Sequence, residues 1–168
     1  MAIQATDITL QLSGGASNAD PNASLGGVIS SNAVGAGLHN LFDIVGSDEA
    51  AAGDTEGRCV YIKNNHATLT LQNAKVFVNS ESPSAETDEE IGLGSSAIDG
   101  TEQTVADEDT APVGVSFAQA NGEANALAIG DLGPGQTKAL WIRRTISIGA
   151  SAYNNDGTQI RIKGDTAA

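Results

Sequence analysis

Cysteine is nearly missing from these 168 residues, with Cys59 standing alone. One thiol closes no intrachain disulfide and leaves the redox compartment open. Together with the two histidines, His39 and His66, it makes no zinc-ligand set of the usual spacing. Aromatic residues are scarce as well: one Trp, two Tyr and three Phe. Carboxylate pairs for glycoside hydrolysis are available among 21 acids, but no aromatic-rich groove accompanies them. Lys and Arg number only eight, giving a formal net charge of −13. That argues against nucleic acid as a partner, because such binding needs a positive footprint to displace counterions. No apolar run approaches the roughly 18 residues of a membrane span. The start, MAIQATDITLQLS, has no basic region leading into an apolar run and does not read as a secretory signal. These absences point to a chain made and used in the cytoplasm, or assembled there into something larger.

What is present falls into two styles. After a partly alternating first strand around Ile8, Leu10 and Leu12, residues 14–37 are rich in Gly, Ala, Ser and Asn. Such a stretch rarely packs a core of its own. It is too apolar for a free linker, since it holds Leu25, Val28 and Ile29. Leu38, Leu41, Phe42 and Val45 follow at the spacing of one face of a short helix, and SDEAAAGD offers acids in a first turn with Gly53 as a stop. From Arg58 onward alternation is dense. RCVYIKNN, TLTLQNAKVFVNS, IGLGS, VGVSFA, ALAIGDL, TKALWIRRTISIG and TQIRIKG read as strands. Turn signals recur at about the 8–12-residue spacing of an antiparallel sandwich. Asn155-Asp156-Gly157 has the chemistry of a hairpin turn.

The expectation is an all-β fold, an antiparallel β-sandwich of immunoglobulin-like or jelly-roll-like type. An extended N-terminal arm containing at most short helical turns precedes it. Residues 1–57 are assigned to the first strand and arm, and 58–168 to the sandwich. The alternative places the first strand in the sandwich and makes the middle of the arm a long insertion. Charge is also segregated. Between Glu81 and Asp109 there are ten acids and no Lys or Arg, while the basic residues lie in or beside the strands. In LWIRRT, Trp141 and Arg143 share one parity, either outward as an interface anchor or inward as core.

No catalytic motif emerges. Cys59 sits inside an alternating strand, where a cysteine acts as a small hydrophobe. His66 lies in a polar turn seven residues on, and nothing positions His39. DEEIG and DEDT lack the alternating oxygen ligands and Gly of a calcium loop. GDLGPGQT lacks the Lys-Ser/Thr ending of a phosphate loop. The expected protein is not an enzyme and carries no cofactor, metal or catalytic residue.

Gly53-Asp54-Thr55-Glu56, Tyr61-Ile62-Lys63-Asn64, Leu132-Gly133-Pro134-Gly135 and Trp141-Ile142-Arg143-Arg144 occur in an order that resembles small structural proteins of tailed-bacteriophage and prophage head-gene clusters, of the capsid decoration or cement type. The resemblance covers about residues 38–166. It implies a virion protein on the outer capsid surface, made in the host cytoplasm, that binds the major capsid protein and stabilises the shell. It also implies a homo-oligomer, trimer before dimer. No nucleic acid and no membrane is involved. On this reading the arm docks on the capsid through Leu25, Val28, Ile29, Leu38, Leu41, Phe42 and Val45, or else folds back over its own sheet. Trp141 and Arg143 are the expected oligomer contacts. The alternative function is an immunoglobulin-like binding module of a tail fibre or cell-surface protein that recognises carbohydrate or protein.

Overall fold

The computed structural model describes residues 2–166. In chain order its strands are β1 (Ile8–Leu12), β2 (Gly26–Gly27), β3 (Asp54–Asn64), β4 (Leu71–Ser80), β5 (Thr87–Leu93), β6 (Glu102–Thr104), β7 (Leu127–Leu132), β8 (Thr137–Ile146) and β9 (Gln159–Thr166). One sheet has the order β1-β3-β8-β5 and faces a second with the order β7-β4-β9, while β2 and β6 form a small ribbon. All ladders are antiparallel. The fold is an all-β antiparallel sandwich with few helical turns. Its four-and-three division is the strand count of an immunoglobulin-like sandwich rather than the eight of a jelly roll.

The four-stranded sheet is buried on both faces. Its inner face sets Val60, Ile62, Leu140, Ile142 and Ile91 against Val76, Val78, Leu71 and Leu132 of the other sheet. Its outer face carries Cys59, Tyr61, Ala139 and Trp141, covered by Leu25 and Ile29 of the arm and by Val105, Val115 and Phe117 of the later loop. Covering both faces explains why Cys59-Val60-Tyr61-Ile62 reads as an unbroken apolar run, as central strands do. Each large side chain removed from water there is worth roughly 1.5–3 kcal/mol before entropy costs.

Several sequence expectations shift. β1 pairs with β3, Ile8 opposite Asn64 and Leu12 opposite Val60, so the first strand belongs to the sandwich. The boundary drawn between 57 and 58 falls inside β3, whose ladder with β8 already starts at Asp54. Residues 38–45 form bends and turns, not a helix. Leu41 is buried instead, Phe42 is held by two arginines, and His39 takes φ +56°. The one α-helix among the described residues, α1 (Ser47–Ala52), follows, ending at Gly53 with φ +75°. The Glu49 carboxylate accepts the Gly46 N–H at 2.5 Å and anchors its start.

The acidic stretch is not all loop. Thr87 to Glu90 are strand residues of β5, and Glu102 opens β6. VGVSFA forms no strand; its one backbone link to the sheet among the described residues is a two-way bridge between Ile91 and Ala118, while Val115 and Phe117 pack on the sheet's outer face. Asn155-Asp156-Gly157 is part of a long crossover between sheets rather than a hairpin, because β8 and β9 do not pair. Ile148 lies beyond the end of β8 and is 81% exposed.

Candidate functional site

The arm is fastened to its own sheet. The Ser24 carbonyl accepts the Cys59 N–H at 2.7 Å, and the Leu25 carbonyl accepts the Val105 N–H at 3.0 Å. Ser13 Oγ donates to the Cys59 carbonyl at 2.8 Å and accepts the Gly26 N–H at 3.0 Å. The Tyr61 hydroxyl donates to the Gly27 carbonyl at 2.7 Å and accepts the Glu102 N–H at 2.9 Å. At Gly26 φ is +93°, and a Cβ would sit 1.8 Å from the Gln103 carbonyl oxygen. Only glycine lets the arm approach β6 so closely.

Of the residues expected to meet a capsid, Leu25 and Ile29 pack on Cys59, Tyr61 and Trp141. Leu41 is buried in the main core. The Phe42 ring packs against two guanidinium groups, 5.4 Å from Arg58 and 4.8 Å from Arg144. Val45 is half-buried. Val28 and Leu38 stay on the surface, 49% and 57% exposed. The structure therefore places the arm by the fold-back arrangement and leaves two of the seven side chains outward. Ile44, Val113, Ile148 and Tyr153 are also exposed, and the sequence reading singled out none of them as a surface contact. Their one signal was apolar character inside loops flanked by Gly, Ser and Asp.

Trp141 and Arg143 do share the face away from the main core, but that face is not open. Trp141 has no exposed surface, so it is not a surface anchor in this fold. Arg143 donates through Nε to Glu90 at 3.0 Å, directly across the β5–β8 ladder, and stacks 4.3 Å from the Phe117 ring. Its acidic partner comes from its own chain.

Cys59, His66, Asn64 and Glu102 each make contacts that hold parts of the chain together. Burial pushes the Cys59 thiol far up, against the Ser13 contact that lowers it. His66 Nδ1 accepts the backbone N–H groups of Thr68 and Leu69, at 3.2 and 3.0 Å, and so closes a turn. Asn64 is fully buried; it donates to the Leu69 and Leu132 carbonyls, both at 2.9 Å, and accepts the His66 N–H at 3.0 Å. Burial raises the Glu102 carboxyl. Donation from the Ser96 backbone and the Ser95, Ser96 and Gln103 side chains outweighs that and takes it down to about 2.

The one grouping of metal-ligating residues among the described residues is Glu49, Asp54 and Glu56. Glu56 is buried there, and Arg144 reaches its carboxylate at 2.5 Å. Desolvation raises Glu56 and Arg144 lowers it. A guanidinium thus already supplies the counter-charge a cation would bring. Arg58 is similarly consumed: it is wholly buried, pairs with Glu108 and donates to Asn22 Oδ1 at 3.1 Å. The chain matches no protein-family model, no curated protein and no solved structure.

Proposed function

We propose that this chain is a non-enzymatic virion structural protein that binds the outside of a phage capsid and stabilises it through the major capsid protein. The observation that carries this reading is the commitment of its reactive groups to scaffolding. Cys59, His66, Glu102, Arg58 and Arg144 all hold parts of the chain to one another. The decoration-type resemblance over residues 38–166 supplies the partner. The fold-back of the arm relocates the contact, from the whole arm to its outward side chains Val28 and Leu38 with Ile44 beside them in sequence. On the shell a closed homo-oligomer is proposed, trimer before dimer, using surfaces other than the buried Trp141.

Copy number in purified virions tests this. A cement protein is present at every lattice site, and a binding module on a fibre at few; finding the chain absent or rare overturns the proposal. The triple variant Val28→Asp, Leu38→Asp, Ile44→Asp keeps the fold and loses binding to expanded shells, along with the heat resistance that binding confers.

A further inference from the structure

The two sheets are unequal, and the inequality leaves a seat. The four-stranded sheet extends to β1, whereas the facing sheet stops at β9. An open cavity of about 470 Å³ lies between them. Its apolar wall is formed by Ile8 and Leu10 of β1, Leu41 of the arm, Ile142 of β8, and Ile160 and Ile162 of β9. Ile160 and Ile162 are only half-buried, although they face inward.

The strand beside this cavity is unprotected. β9 is eight residues long and pairs with β4 alone. Among the described residues, no backbone hydrogen bond joins residues 159–166 to any other segment. The other edges are treated differently. β1 is overlaid by residues 30–34, with Leu12 donating to Asn32 and Val34 donating to Leu10. β5 is closed by its bridge to Ala118. β7 skips a residue between Gly130 and Ala128 while β4 advances by one, so β7 itself is bulged. In the β4–β9 ladder the extra residues lie on β4, so β9 runs regular. A long, regular edge above an apolar groove is the geometry into which an added strand fits.

We propose that β9 and this groove receive an extended segment of a partner protein whose apolar residues alternate with acids. Charge selects the acids. The outward side of β9 carries Arg161, Lys163 and, near its end, Asp165, next to Lys75 of β4. Glu123 bridges Lys75 and Lys163, both at 2.7 Å, while Arg161 has no hydrogen bond or ion pair among the described residues. On this face the cations Arg161, Lys163 and Lys75 stand against the acids Glu123 and Asp165, which leaves the excess positive charge at Arg161; more distant acids are screened by salt beyond roughly 8–10 Å. An acid across the ladder from Arg161 is favourable and a second cation is not. A second copy's β9 paired antiparallel about Ile162 would set Arg161 against Lys163, which disfavours that register. The apolar half of the incoming strand covers the half-buried side chains of Ile160 and Ile162 and of Ile8 and Leu10 across the groove. This inference goes beyond the capsid reading and does not rest on it.

The test uses the full chain and synthetic probes. A peptide of about ten residues, a common strand length, alternates valine with glutamate. Two comparison peptides replace either the glutamates with lysine or the valines with serine. Amide hydrogen exchange and titration calorimetry are read together. The expected result is protection confined to residues 159–166 with the valine–glutamate peptide alone, and affinity weakened about tenfold by the exposed charge reversal Arg161→Glu. No protection of β9 overturns the proposal. Equal binding of the serine–glutamate peptide reduces the site to an anion patch and overturns it. So does equal binding of the valine–lysine peptide, or β9 protection that arises from self-association without peptide.

Discussion

Asn64 shows how a single buried amide can hold two distant turns. Its side chain clamps the 64–69 turn to Leu132, while its main chain bonds to Gln136 and Gly135. Replacing it with alanine strands two carbonyls and an N–H. Asn64→Ala is expected to cost about 2–4 kcal/mol, checked by urea unfolding. Glu102 makes a pH-dependent contribution. Its folded pKa of about 2 lies below the unfolded value near 4.5, so its stabilisation is complete above about pH 4.5 and lost as pH falls through about 2. The shift corresponds to something on the order of 3 kcal/mol. Glu56 runs the other way: burial raises it, so its ionised form costs stability at neutral pH and acid relieves that cost. The difference between wild type and Glu102→Gln isolates the first effect. It should be largest at neutral pH and shrink between about pH 4.5 and 2; a difference that is flat with pH would refute the assignment.

The arm behaves as a cover strapped over one face of a sheet, and Gly26 is where the strap fits closest. Gly26→Ala meets the Gln103 carbonyl and loses a positive φ that alanine resists. The expected outcome is an arm that lifts while the two main sheets persist. Cys59, unreactive when covered, should then be modified by an aromatic disulfide reagent with little change in far-ultraviolet circular dichroism. Unchanged thiol protection would show that the arm does not guard that face. This element also shows what the sequence made legible. Alternation revealed β1, β4, β7 and β9 nearly in place, because a half-buried strand writes period two, and β8 was legible from its apolar parity and flanking turns. The cover was not legible in that way. Leu25 and Ile29 sit among glycines and serines with no period, and the strand they protect is apolar on both sides. Parity grouped Trp141 with Arg143 and left open whether that side faced outward or inward, and no local pattern told that a loop and an arm would roof it. The Phe42 site was hidden for the same reason, since Arg58 and Arg144 come from strands far away in sequence.

Over the whole molecule, the motifs that carried the resemblance turn out to be paired structural constraints. Glu56 and Arg144 face each other across β3 and β8, and Asn64 meets the Leu132–Gly135 turn. Motifs that fix a sandwich say little about its partner, which is why the site was harder to read than the fold. The excess of acids has a global effect as well. With a net charge of −13, self-repulsion opposes compaction, and added salt screens it. The melting temperature is therefore expected to rise by about 2–5 °C between low salt and roughly 0.5 M sodium chloride; a fall would mean that the Arg–Glu pairs outweigh the repulsion. Finally, the single tryptophan lies at the seam between sheet and arm, without contact with water. Its emission is thus a built-in gauge of that seam alone. A blue-lying maximum that persists when the protein sits on a shell would mean that the arm stays home during assembly, and a red shift would mean that it changes hands.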